Sequence, residues 1–120
     1  MSLHDGGTGF DLTIANGGTA SNVVKAKGVY SGAARLLFMA AAVLAADAAY
    51  TVEVTDDPDA TSVVWRTLTD DTDTNYAPPA AGKAKAINDA IGSGAIRIKS
   101  AGAVTGAKTW RVHMQMAYGS

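Results

Sequence analysis

A chain of 120 residues in which 48% are hydrophobic and 18% charged is sized for one packed domain rather than a disordered polymer. Its formal net charge of −1 exerts no long-range pull toward nucleic acid or an anionic membrane. Having no cysteine, it forms neither disulfides nor thiolate–metal sites, so stability has to come from packing, from partners, or from both.

The first nine residues, MSLHDGGTG, are polar and glycine-rich and read as a flexible N-terminal arm, followed by a single domain over residues 10–120. Phe10–Ile14 alternates apolar and polar side chains with the two-residue period of a half-buried strand, and NGG at Asn16–Gly18 supplies a tight turn. Ser21–Tyr30 reads as a second strand, interrupted near Gly28. Arg35–Ala49 has the basic residue, apolar run and small residues of a secretory signal, but it begins too far into the chain. Its uncharged stretch, Leu36–Ala46, is 11 residues long, against the roughly 20 a bilayer span requires. The chain is therefore expected to be soluble and unprocessed. Alanine, leucine and methionine favour helix in this run, yet it lies between strand-like neighbours, and the reading adopted is a strand buried on both faces.

Tyr50–Thr55 is the clearest strand, with Tyr50, Val52 and Val54 on one side and Thr51, Glu53 and Thr55 on the other. Ser62–Leu68 follows after a short Asp/Pro loop, the arrangement of a hairpin. Asp70–Gly82 is polar and then proline-containing, a long connection at an edge or an end. Lys83–Gly94 fits a short helix, with Ile87 and Ile91 four apart and Gly92 to end it, or an irregular segment. GAIRIKS, Gly94–Ser100, and WRVHMQM, Trp110–Met116, are alternating strands. About seven short strands with at most one or two short helices predict an all-β fold, an antiparallel β-sandwich or jelly roll.

The acidic stretches TDDPDAT, Thr55–Thr61, and TDDTDT, Thr69–Thr74, are the first place to look for chemistry. Asp57 and Asp59, and again Asp71 and Asp73, have the local spacing of a calcium loop, but neither pair has the following glycine or the terminal glutamate. Turn formation is the preferred reading: Asp56, Pro58 and Asp59 shape a hairpin turn, and calcium is the weaker alternative. Glu53, the only glutamate, lies on a polar strand face and is expected to pair with Arg66 or a neighbour rather than to act as a catalytic carboxyl. His4 and His113 stand near no nucleophile motif, and GGTG and GSGA lack the lysine and the strand–helix setting of a phosphate loop. No catalytic residue, cofactor or enzyme activity is predicted. Arg97, Lys99 and Arg111 would form one basic stripe if the last two strands pair; nucleic acid and membrane are not expected partners.

The stretches YTVEVTDDPDATSVVWRTL, Tyr50–Leu68, and AIRIKSAGAVTGAKTWRVHM, Ala95–Met114, are hairpins separated by acidic and glycine loops. Together they resemble the jelly-roll capsid cement or decoration proteins of tailed bacteriophages. That resemblance implies a structural virion protein on the outer capsid surface, assembled in the host cytoplasm. It also implies binding to the major capsid protein, self-association into a homotrimer, and no cofactor. The arm residues Leu3, His4 and Asp5, with Arg97, Lys99, Arg111 and His113 on the outer strands, are the expected contact residues. An alternative is a tail-associated or carbohydrate-binding β-sandwich module with an aromatic platform. For that role Trp65 and Trp110 are expected to be buried, which leaves Tyr76 as the better exposed candidate.

Overall fold

The computed structural model describes residues 7–25, 34–41, 49–91 and 94–116. Among them the chain forms eight strands and no helix: β1 (Gly7–Ile14), β2 (Val24–Lys25), β3 (Ala34–Ala40), β4 (Tyr50–Thr55), β5 (Arg66–Thr67), β6 (Ala84–Ile91), β7 (Ala95–Ser100) and β8 (Lys108–Met116). They make two four-stranded sheets, sheet A in the order β1-β8-β3-β6 and sheet B in the order β2-β7-β4-β5, with every pairing antiparallel. The fold is an antiparallel β-sandwich. The first four strands pair with the last four in reverse order, β1 with β8, β2 with β7, β3 with β6 and β4 with β5. The chain thus runs as one long hairpin wrapped over two layers.

Alternation places the core between the layers. Leu12, Ile14, Leu36, Phe38, Trp110 and Val112 from sheet A meet Val52, Ile96 and Ile98 from sheet B, and Val104 closes one end from the β7–β8 loop. Trp110 is fully buried, its ring edge-on to Tyr50 with centroids 4.8 Å apart. Its indole Nε1–H donates to Pro79 O at 3.2 Å, so the proline-containing connection seals the core and accepts the one polar group the indole carries in.

One flank of the sandwich is tied by side-chain bonds. Asn22 accepts from Thr13 N–H at 2.8 Å and donates to Asp11 O at 3.0 Å, taking the place of a neighbouring strand along part of β1. The Asn16–Gly18 turn appears as expected, with Gly17 at φ 80°; Gly17 N–H and Gly18 O bond Val104 across the end of the core.

Four sequence readings change. Lys83–Gly94 is neither helix nor irregular over most of its length: Ala84–Ile91 is strand, because pairing with β3 outweighs the helical propensity of alanine and lysine. Ser62–Leu68 contributes only Arg66–Thr67 to a sheet. Gly7–Gly9, read as part of the arm, pair with Gln115, Met114 and His113 of β8, and residues 1–6 lie outside the described residues. The apolar run is strand as read through Ala40, in β3, and residues 42–48 lie outside the described residues. The last two strands do not pair: β7 belongs to sheet B and β8 to sheet A, and the glycine-containing loop between them crosses from one layer to the other.

Candidate interaction surface

The outward side of sheet A consists of two cross-strand rows set by the register. Gly9, His113, Leu37 and Ala86 form one, and Asp11, Arg111, Met39 and Ala84 the other. The strand read as buried on both faces is covered on one only. Leu36 and Phe38 point into the core, while Leu37 and Met39 are each 37% exposed beside the exposed Ala84 and Ala86. The chain leaves uncovered the apolar side that alternation would ordinarily make polar. Arg111 borders this patch and reaches back across β1 to Asp11, Nη1 to Oδ1 3.4 Å. The absence of a side chain at Gly9 makes that path available, since a Cβ there would stand 2.6 Å from Arg111 Nη2. Both partners are more than half exposed, so this ion pair adds little stability.

The outward side of sheet B is different in kind. Arg97 donates from Nε and Nη2 to Glu53 Oε1, at 2.9 and 2.7 Å, and the pair is largely withdrawn from solvent. Its guanidinium lies 4.2 Å from the centre of the Trp65 ring. Glu53 therefore does make a cross-strand pair, with Arg97 of β7 rather than Arg66. Trp65 is half-buried outside the core, where it covers the ion pair, and one face of its ring is occupied by Arg97. Tyr76, expected to be exposed, packs against the core, its backbone N–H bonded to Leu68 O and its O accepting from Val52 N–H.

Both acidic stretches are turns. In the first, Ala60 N–H reaches Asp57 O across Pro58 and Asp59, and Asp57 Oδ1 accepts from Asp59 N–H at 3.2 Å, so the turn is one residue later than the sequence reading placed it. Asp59 also meets Lys25 Nζ at 2.6 Å. The second is a tight hairpin closed by the Thr69–Asn75 bridge. Asp70 Oδ1 accepts from Thr72 N–H, Thr72 Oγ1–H and Thr74 N–H at 2.8, 2.7 and 3.0 Å. These bonds, the Thr72 hydroxyl foremost, hold the Asp70 carboxyl below its ordinary value of 3.8. Asp73 takes a left-handed conformation, φ 62°, which aspartate tolerates. Among the described residues no group of three or more His, Asp or Glu side chains is clustered to hold a metal ion, and Asp57, Asp59, Asp71 and Asp73 are split between the two turns.

The expected contact residues are thus divided. Arg97 and Lys99 lie on sheet B, and Arg111 and His113 on the opposite outer face of the molecule, so no single basic stripe exists. Leu3, His4 and Asp5 lie outside the described residues. Leu37 and Met39 went unnamed by sequence reasoning, although the signal was present: RLLFM is apolar at consecutive positions where a half-buried strand alternates. Comparison of the chain with protein-family models, with curated proteins and with solved structures finds no match.

Proposed function

We propose that the protein is a structural component of a virion, a capsid cement or decoration protein that lays the outer face of sheet A on the lattice of the major capsid protein and works as a small homo-oligomer. The observation that carries this reading is the uncovered apolar side of β3, where Leu37 and Met39 stand exposed on a broad sheet face bordered by Arg111 and His113. The β-sandwich gives further support: two antiparallel sheets in the orders 1-8-3-6 and 2-7-4-5 are compatible with a jelly roll, an architecture common among capsid and lectin domains. A face of this kind adds area rather than chemistry, and many weakly held copies on a lattice gain strength from multivalency. A ligand-binding module built on aromatic residues draws less support, because Trp110 is buried, Tyr76 packs on the core and Trp65 is covered by Arg97.

The test is co-sedimentation with empty heads of a tailed phage that encodes this chain. Wild type is expected to pellet with heads, and the L37S/M39S variant to lose at least about tenfold in affinity, roughly 1.4 kcal/mol, with an unchanged melting temperature. A folded wild-type protein that ignores heads would overturn the reading.

A further inference from the structure

The four outer strands of the sandwich leave their edges in different states. Asn22 bonds Thr13 N–H and Asp11 O along part of β1, and β2 and β5 are only two residues long. β6 runs for eight residues at the end of sheet A with no described strand beyond it. The ladder with β3 fixes which of its groups point outward. Ala40 N–H bonds Lys83 O, and the register continues through Met39 with Ala84, Phe38 with Lys85 and Leu37 with Ala86. Lys85 therefore turns its N–H and C=O toward β3, whereas Ala84 and Ala86 turn theirs to the open edge. Side chains alternate in the same register. Ala84 and Ala86 stand on the outer face beside the exposed Met39 and Leu37, and Lys85, partner of buried Phe38, leaves on the side of the other layer yet is exposed. Lys83, two residues before it, is exposed too, and neither lysine has an ion-pair partner among the described residues.

We propose that the β6 edge takes an extended segment of a partner protein as a fifth strand of sheet A, and that this segment alternates acidic and apolar residues. Backbone bonds to Ala84 and Ala86 hold it, the mode of recognition by strand addition. Strand pairing then dictates the pattern. Residues opposite Ala84 and Ala86 lie on the outer face, where the alanine methyls leave space for larger apolar side chains that lengthen the Leu37 and Met39 rows. Residues opposite Lys83 and Lys85 lie on the other side, and carboxylates there meet two ammonium groups that no described carboxylate engages. A segment basic at those positions is repelled, which gives the edge its selectivity. The proposed function supplies only the source of the segment, the lattice protein under sheet A; the recognition chemistry is independent of it.

A short peptide alternating valine and glutamate, acetylated and amidated at its ends, tests the edge without heads. With saturating peptide, amide hydrogen exchange read by NMR is expected to slow at least about tenfold at Ala84 and Ala86 and to stay unchanged at Lys85, whose N–H faces β3. The same peptide with lysine for glutamate is expected to bind about tenfold or more weakly, and K83E/K85E to reverse that preference. A86P removes an outward donor at an edge position that tolerates proline, and is expected to abolish the protection of Ala84 in a folded chain. Exchange unchanged at Ala84 and Ala86, or equal binding of the two peptides by wild type, would overturn the proposal. Protection at both that appears without peptide and grows with protein concentration would assign the edge to a second copy and overturn it as well. Wild type that pellets with heads but ignores the peptide loses this inference and keeps the proposed function; wild type that binds the peptide but ignores heads does the reverse.

Discussion

Gly94 shows how one side chain, by its absence, seats a whole turn. Its N–H donates to Thr55 O at 2.8 Å, and a Cβ at this position would stand 2.6 Å from Asp56 O and 2.9 Å from Asp56 C, backbone atoms that cannot swing aside. G94A is expected to cost about 1–3 kcal/mol of stability in urea unfolding, as overpacking does. Asp70 acts through charge instead. Its folded pKa lies below 3.8, so the hairpin gains from its ionisation above that pH and loses the gain as pH falls through the lowered value. In D70A the Thr72 and Thr74 amides lose their acceptor, and amide hydrogen exchange at both is expected to accelerate with little change elsewhere. At Arg97 two terms coincide, the fork onto Glu53 and the stack on Trp65. R97M keeps most of the apolar stem, leaves Glu53 unpaired in a partly dry site, and is expected to cost about 1–2 kcal/mol with a shift in tryptophan emission.

Among the elements, β3 separates stability from interaction. Phe38 is enclosed by the core, and F38A is expected to lose about 3–5 kcal/mol in thermal or urea unfolding. Leu37, one residue along and on the other face, is 37% exposed, and L37S is expected to cost far less than F38A in the same unfolding measurement. How far each element was legible follows from where its stabilisation originates. Tyr50–Thr55, Ala95–Ser100 and the last strand could be read because each alternates around a buried row, so the period of the pleat is written in the sequence. β6 could not, since its alanines and lysines favour helix locally and only pairing with β3 extends them. β5 was overread, because Ser62–Leu68 has strand composition but Trp65 turns out to cover Arg97 instead of entering the core.

For the molecule as a whole, the two acidic stretches are two separate turns that close the sandwich; the carboxylates of Asp57 and Asp70 accept from nearby backbone N–H groups and that of Asp59 meets Lys25. Addition of a strong chelator is accordingly expected to leave the melting temperature unchanged, and a drop of several degrees would reassign the turns to calcium. The sequence alone determined the all-β class, the positions of the regular strands, the turn at Asn16–Gly18 and the turn character of both acidic stretches, because these depend on side-chain period and on local φ preferences that travel with the residues. Which strands share a sheet, which carboxylate meets Arg97 and which side of β3 stays uncovered were decided by the tertiary structure. Those relations depend on pairings between residues up to about a hundred positions apart, such as Asp11 with Arg111, and no local periodicity encodes which of two equally apolar neighbours, Leu37 or Phe38, will find the other layer.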